Sequence, residues 1–272
     1  MKATAGIHSG LFNPSMRAKI LLASFFGFII GLVAGLLGVG GGEFRLPVLI
    51  CLIGFPVAIS AAANLLIGIL TVSVGLTRRL MLGITFPGMA GVIVSMSAAS
   101  IVGAYAGAFV SEKVKEKYLK VAVGVLLVTI GLKMIYDAFA VESPVGLALS
   151  YPMELFLAGL LGALIGIVSG TLGVAGGELR IPALIYIFNM PIKVAGTVSL
   201  LVSVPTVATG AFKHMRMGHA SRDVVLISVA MAIPSVIGAY LGATLVTAAS
   251  ERFLKALLGA VLLLATVRIV KP

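Results

Sequence analysis

The 272-residue sequence has few charged side chains and almost none of the side chains that commonly ligate metals. Its single cysteine, Cys51, excludes an internal disulfide framework and a cluster of thiolate ligands. The three histidines, His8, His214 and His219, are scattered and have no carboxylate at ligand spacing. Only 11% of the residues are charged, well below the ~25% of ordinary soluble domains. We therefore expect no metal, no cofactor, no catalytic residues and no enzymatic activity.

Long apolar runs dominate the chain, which is 60% hydrophobic with a mean hydropathy of +1.19. Six stretches carry no charge: Ile20–Gly42, Leu46–Thr77, Leu80–Ser111, Leu155–Gly177, Val194–Phe212 and Val224–Ser250. Each is long enough to cross a hydrocarbon core of ~30 Å, for which about 20 helical residues suffice. Backbone polar groups find no water in lipid, so such spans must be helical. The sequence predicts an all-α polytopic membrane protein in a lipid bilayer.

The ends of these runs bear on targeting and on charge. The first run lacks a convincing small-residue cleavage site and has a counterpart at Leu155–Gly177, so we interpret it as a retained helix rather than a signal peptide. The net charge of +11 could suggest nucleic acid as a partner. However, the basic residues lie in short loops between spans, where they set the orientation in the membrane. We expect no nucleic-acid binding.

One glycine-rich motif occurs twice, 135 positions apart. The copies at 31–50 and 166–185 read GLVAGLLGVGGGEFRLPVLI and GIVSGTLGVAGGELRIPALI, and 13 of the 20 positions are identical. The same offset aligns Gly103–Ala108 with Gly238–Ala243. We predict a first repeat at 1–137, an inter-repeat loop at 138–152 and a second repeat at 153–272, within a single membrane domain. Duplicated membrane units with glycine-broken helices are typical of transporter cores.

Each half divides into five apolar segments. They are roughly Lys19–Leu37, Leu46–Phe55, Val57–Thr77, Phe86–Val110 and Tyr118–Tyr136, then Met153–Leu172, Ile181–Met190, Ile192–Phe212, Val224–Thr247 and Phe253–Ile269. The second segment has about ten residues, ~15 Å as a helix, which is half a bilayer. It either completes a broken crossing, which makes the repeats inverted, or re-enters, which makes them parallel. The distribution of basic residues favours inverted repeats with the N-terminus inside.

Glycines also recur every fourth residue within the long segments. Gly27, Gly31 and Gly35 form one line on a helix face, and the second half repeats the pattern 135 residues later. Small residues at this spacing let membrane helices approach closely. We therefore assign these glycines to helix packing rather than to substrate contact.

The glycine run before the short segment has a different character. Consecutive glycines each cost about 1 kcal/mol in a helix relative to alanine, so the helix stops there, and Pro47 can begin the next one in its first turn. The new helix start presents free N–H groups and a positive dipole end, which suit an anion. The alternative is a tight turn at the membrane surface, with Glu and Arg among the head groups. We predict a substrate site formed by Gly40, Gly41, Gly42, Glu43 and Arg45 with Gly176, Gly177, Glu178 and Arg180.

The charges of this motif sum to zero. The two arginines would attract an anion, whereas Glu43 and Glu178 would repel it unless they are paired or protonated. They are thus candidates for proton coupling or for ion pairs with an arginine of the other repeat. A single charge at membrane depth costs roughly 2.5–3.5 kcal/mol on insertion scales, so ion pairing is the interpretation that we prefer.

Polar residues of the third segments complete the candidate site. Asn64 and Ser199 occupy equivalent positions, as do Thr71 and Thr206. We include all four as candidates for substrate binding. The alternative is hydrogen bonding within or between helices, which is common for such residues in membranes.

With this motif doubled, the chain resembles the TauE/SafE family of sulfite and sulfonate exporters, also called the toluenesulfonate uptake permease family. The likeness rests on Gly35–Pro47 and its copy Gly170–Pro182 and extends over essentially the whole chain. The motif is specific for the family but distinguishes its members poorly. The second copy departs from the triple glycine at Ala175, which leaves open whether both copies contact a ligand equally.

The resemblance implies secondary transport of a small anionic sulfur compound, sulfite or an organosulfonate, outward across the cytoplasmic membrane of a prokaryote. Membrane potential, proton coupling or both would drive it, since no nucleotide-binding Gly-Lys-Ser/Thr follows the glycine run. An anion channel shares every one of these features, and a membrane-embedded enzyme or maturation factor is a further alternative. The sequence leaves open whether the protein forms a homo-oligomer.

Overall fold

The computed structural model describes residues 15–110, 116–140, 149–215 and 222–270. This part of the chain is helical and contains no strand. Its helices are α1 (Met16–Leu37), α2 (Gly42–Pro47), α3 (Val57–Met81), α4 (Ala90–Val110), α5 (Glu116–Phe139), α6 (Tyr151–Leu172), α7 (Gly177–Tyr186), α8 (Ile192–Met215), α9 (Arg222–Leu245) and α10 (Glu251–Val270). The all-α fold class is confirmed, and most of the predicted inter-repeat loop 138–152 lies outside the described residues.

Six of these helices, α1, α3, α4, α6, α8 and α9, are long and apolar enough to cross a membrane. Large apolar side chains such as Leu21, Phe25, Val94 and Phe156 are exposed along them, each by more than 60%. In water such a surface would be an aggregation liability, whereas in lipid it faces its natural solvent. The multi-pass membrane protein predicted from hydropathy is confirmed.

The short segment of the first half runs back along α1. Gly41, after the break, packs against Ile30 and Ala34 of α1. Val48 and Leu49 belong to a π-helical turn, Val48–Leu52, that continues α2, and they cluster with Ala23 nearer the start of α1. Pro47 is the sixth residue of α2 rather than part of its first turn, because the helix already begins at Gly42. The glycine break, the short helix and the π-helical turn together thus run back along α1 toward its N-terminal end.

The next helix, α3, runs parallel to α1, because Arg79, near the C-terminal end of α3, contacts the C-terminal end of α1. Arg79 is fully buried and donates to the carbonyls of Gly35 (3.2 Å) and Leu36 (2.8 Å) and, on α8, of Lys193 (3.0 Å). The sequence analysis placed the basic residues in short loops between spans, whereas Arg79 lies within α3. The last carbonyls of a helix have no partner within it and favour a cation, so Arg79 caps α1 and ties it to α8.

The equivalent helices α3 and α8 run in opposite directions. Gly75 of α3 packs against Leu200 of α8, and Gly210 of α8 packs against Leu65 of α3. Contacts that ascend one helix while descending the other mark an antiparallel pair. The contact therefore supports inverted repeats, whose orientation in the membrane stays a prediction.

The glycine lines predicted to pack helices do so between the two halves. The α1 residues Gly27, Gly31 and Gly35 face the backbone of α9, and a methyl group on Gly31 would lie 2.1 Å from the carbonyl oxygen of Ser235. Gly162, Gly166 and Gly170 of α6 face α4 in the same way. The packing interpretation of these glycines is confirmed. Each half thus contributes its first helix to a close contact with the fourth helix of the other.

The inverted orientation can be tested with two equivalent prolines. Pro56 and Pro191 are exposed and directly precede α3 and α8. In a Cys51→Ser background, we expect Pro56→Cys to react with an impermeant maleimide from the cytoplasmic side and Pro191→Cys from the outside. Intact cells and inverted vesicles provide the two measurements, and detergent-opened membranes should label both. Labelling of both from one side would mean parallel repeats with re-entrant short segments.

Candidate functional site

The two glycine breaks meet inside the bundle. Gly40, Gly41 and Gly176 adopt positive φ angles of 90°, 75° and 71°, which only glycine enters without strain. A methyl group on Gly40 would lie 2.7 Å from the Cβ of Ala175, so the breaks are in direct contact. Gly42 and Gly177 are the first residues of α2 and α7. The structure therefore brings the two copies of the motif together in the protein interior, away from a membrane surface.

Arg45 and Arg180 are fully buried beside this junction. Nη1 of Arg45 donates to the backbone carbonyl and to Oδ1 of Asn64, both at 3.3 Å, and Nη2 donates to the carbonyl of Gly40. Nη1 of Arg180 donates to the carbonyl of Ser199 (3.2 Å) and to Oγ of Ser203 (2.7 Å). Nε of both arginines and Nη2 of Arg180 have no acceptor among the described residues. Two guanidinium groups therefore keep donors free in an apolar interior.

Glu43 and Glu178 lie at the junction, close enough to act on each other electrostatically. Three of their four carboxyl oxygens are buried and receive no hydrogen bond from the residues that the structure describes. Two carboxylates have no donor to offer each other, so a hydrogen bond between them requires a proton. The geometry is that of a carboxyl pair rather than of two separate acids.

The ion pairs that the charge balance predicted are not formed. Within the described ranges, neither Glu43 nor Glu178 lies in an ion pair with an arginine. A salt bridge does form elsewhere, between Lys133 and Asp137 on α5. The reason is the hydrogen bonding of the arginines, since Arg45 bonds to Asn64, and Arg180 to Ser199 and Ser203, rather than to a glutamate of the other repeat. Arg45 and Arg180 are directed at α3 and α8, while the glutamates face the junction. Each glutamate still acts electrostatically on the arginine that follows it.

A small cavity of about 10 Å³, room for about one water molecule, lies beside Arg45. It is lined by Gly40, Gly42, Arg45, Asn64, Leu65, Gly68, Ala175 and Val207. Most of these residues come from α2, α3 and the first glycine break, and two come from the second half. The buried guanidinium group of Arg45 thus has open space next to it.

The four polar candidates on the long helices fall into two groups. Asn64 contacts Arg45 and donates from Nδ2 to the carbonyl of Gly173 at 2.8 Å, which joins the two halves. Ser199 offers its carbonyl to Arg180. The hydroxyls of Thr71 and Thr206 instead donate to carbonyls of their own helices at 2.8 and 2.7 Å. Asn64 and Ser199 therefore join the site, and both threonine hydroxyls bond within their helices.

Sequence reasoning did not select Gly68, which lines the cavity. A glycine inside an apolar helix carries no chemistry of its own and was not distinguished from packing glycines. The repeat does distinguish Gly68 from the packing glycines, because the 135-residue offset makes Gly68 equivalent to Ser203. A difference between two otherwise similar copies indicates a position where the two halves differ in local structure.

Comparison of the sequence with known proteins gave the following matches. The family model described as "Sulfite exporter TauE/SafE" matches residues 13–269. The chain is similar to a curated protein of Bacillus subtilis (strain 168), "Probable membrane transporter protein YunE", with 24% identity over 219 residues. That alignment covers 71% of this chain and 77% of the relative. No solved structure matches.

Proposed function

Because the chain belongs to the TauE/SafE family, and is thus a multi-pass membrane transporter, we propose that it exports a small sulfur-containing anion. The anion is sulfite or an organosulfonate, and it crosses the cytoplasmic membrane of a prokaryotic cell by secondary transport. Arg45 and Arg180 bind it at the junction of the two glycine breaks. A homo-oligomer is compatible with this activity but is not required by it.

The observation that carries the proposal is the pair of buried arginines with unused donors. A charge inside a membrane protein is expensive, and such residues usually face a partner or a transport pathway. Arg45 and Arg180 have no carboxylate within ion-pair distance among the described residues, and three of their N–H-bearing atoms lack an acceptor. An oxyanion supplies both missing elements, namely negative charge and oxygen acceptors. Arginine is well suited to this because its planar fork matches oxyanion geometry.

Outward movement of an anion needs no nucleotide. With the cell interior negative, each negative charge that leaves gains roughly 2.3 kcal/mol per 100 mV. Each ~1.4 kcal/mol corresponds to a factor of ten in an equilibrium constant. At equilibrium, 100 mV would therefore hold the outside concentration of a monovalent anion about fortyfold above its inside concentration. Membrane potential alone is sufficient as the driving force for export.

Proton coupling is supported by the carboxyl pair. Two like charges in contact inside a protein cannot both remain ionised at neutral pH without large cost. Glu43 and Glu178 are therefore the groups that we propose to carry the coupled proton beside the anion. The charged groups that act on the pair are its own members and Arg45 and Arg180.

Flux measurements on purified protein in liposomes test the function. We expect sulfite flux above that of protein-free liposomes, saturating with concentration, and faster export when the interior is made negative. Sulfate, thiosulfate and taurine serve as competitors that rank the anions. A linear, non-saturating flux would indicate a channel, and no flux of any sulfur anion would refute the proposal.

A further inference from the structure

The two arginines at the junction have different surroundings. On the basis of the proposed function, we infer that one anion binds per chain, on the Arg45 side only, and that Gly68 is the residue that makes room for it. Gly68 is then a specificity-determining residue, and Ser203 takes the corresponding place beside Arg180.

The asymmetry is visible at three equivalent positions that surround the arginines. Under the 135-residue offset, Gly40 corresponds to Ala175, Asn64 to Ser199 and Gly68 to Ser203. The first half has the smaller residue at two of them and the larger amide at the third. These three differences set the environment of Arg45 apart from that of Arg180.

Ser203 fills a place that is open beside Arg45. Its Oγ accepts a hydrogen bond from Nη1 of Arg180 at 2.7 Å. At Gly68 there is no side chain, and a methyl group built there would stand 3.5 Å from Nη1 of Arg45 and 3.4 Å from Val207. Because those contacts are ordinary, the space results from the missing side chain and not from a displaced backbone. The hydroxymethyl group of a serine at 68 would project into the cavity that Gly68 lines.

Arg45 is positioned to use this space. It is fully buried, lines the cavity, and retains an Nε–H without an acceptor among the described residues. Asn64 fixes its Nη1, so the guanidinium is held in place before an anion arrives. Arg180 also keeps free donors and adds positive potential, but Ser203 and Ala175 occupy the positions that are glycine on the other side.

The size of the cavity restricts the class of anion. The free space in the cavity is about 10 Å³, room for about one water molecule. Entry of an anion therefore requires the surrounding side chains to move apart, and an inorganic oxyanion or a one-carbon sulfonate requires the smallest movement. An aromatic sulfonate would require the helices to separate.

The test compares one substitution at two positions of α3. Gly68→Ser copies the residue found at the Arg180 side. Gly75→Ser is the matched control, two turns further along the same helix, where a methyl group meets only Leu200 at 3.5 Å and Gly35 at 3.9 Å. We expect Gly68→Ser to raise the KM for sulfite flux by at least about tenfold, the effect of one added group in a tight pocket. Gly75→Ser should leave the KM within about twofold.

Two further measurements keep the inference testable if Gly68→Ser folds poorly. Gly68→Ala introduces only a methyl group and should also raise the KM, by less than Gly68→Ser. Calorimetric titration of the wild-type protein with sulfite should give one anion per chain, and methanesulfonate should compete with sulfite far better than toluenesulfonate. An unchanged KM in folded Gly68→Ser and Gly68→Ala, or two anions per chain, would overturn the inference. Loss of sulfite flux in the wild type itself would instead refute the proposed function.

Discussion

Replacement of Arg45 by glutamine is expected to lower sulfite flux at limiting concentration by on the order of a hundredfold, and Arg180→Gln by at least about tenfold. Glutamine keeps a similar length and some donors but removes the positive charge. The remaining site then offers an anion no compensation for leaving water. Arg45 should matter more because the cavity adjoins it, while Arg180 acts mainly through its field. Initial rates in proteoliposomes over a range of sulfite concentrations provide the measurement.

Arg78→Gln is the matched control for these variants. Arg78 lies near the C-terminal end of α3, donates to Thr244 at 2.9 Å and stacks over the ring of Tyr240 at 4.8 Å. Its replacement removes the same charge at a distance from the junction and should leave the KM for sulfite within about twofold. Unchanged apparent affinity in Arg45→Gln, Arg180→Gln and the double variant would mean that the arginines do not bind the anion. Size-exclusion chromatography establishes that each variant is folded.

Simultaneous replacement of Glu43 and Glu178 by glutamine is expected to abolish the response of transport to a pH gradient. For each coupled proton, one unit of pH difference is equivalent to about 1.36 kcal/mol, and so shifts the steady-state anion gradient about tenfold. A glutamine pair can form a hydrogen bond across the junction but has no titratable proton. The double variant should therefore transport sulfite with a steady state set by voltage alone. The measurement is the anion gradient reached at fixed voltage with and without a pH difference.

Asp137→Asn serves as the control for the carboxyl variants. Asp137 forms a salt bridge with Lys133 (3.0 Å) and accepts a hydrogen bond from Tyr186 (2.7 Å), on α5 and the far end of α7. Its loss removes a carboxylate without touching the junction, and the response to pH should persist. If the double glutamine variant retains a tenfold response per pH unit, the carboxyl pair does not carry the proton.

The local sequence determined where the helices end. Glycine runs and prolines act through backbone conformation within a few residues, so the breaks at Gly40 and Gly176 and the short helices after them were predictable. Glycine lines on α1 and α6 predicted close packing for a similar reason. The partners of those lines, α9 and α4, were not predictable from hydropathy, because each is more than 60 residues away along the chain and resembles every other apolar helix.

Side-chain partners were harder to predict than helices. Charge balance suggested ion pairs of Glu43 and Glu178 with an arginine of the other repeat, but the arginines instead donate to polar groups of α3 and α8. Arg79 appeared to be a loop cation because it follows an apolar run, yet the carbonyls at the end of α1 are its partners. Both errors arise from tertiary neighbours that no local pattern encodes.

The contacts of α1 with α9 and of α4 with α6 also constrain how the protein can move. A gap of 2.1 Å between a would-be methyl on Gly31 and the Ser235 carbonyl leaves no room for one helix to slide over the other. We therefore expect each pair to move as one rigid body, and each pair contains one helix from each half of the chain. Alternating access to Arg45 would then not consist of rocking the N-terminal half against the C-terminal half. The relative motion would lie between the two pairs, where Leu65 and Leu200 lie between α3 and α8 and where the two short helices begin.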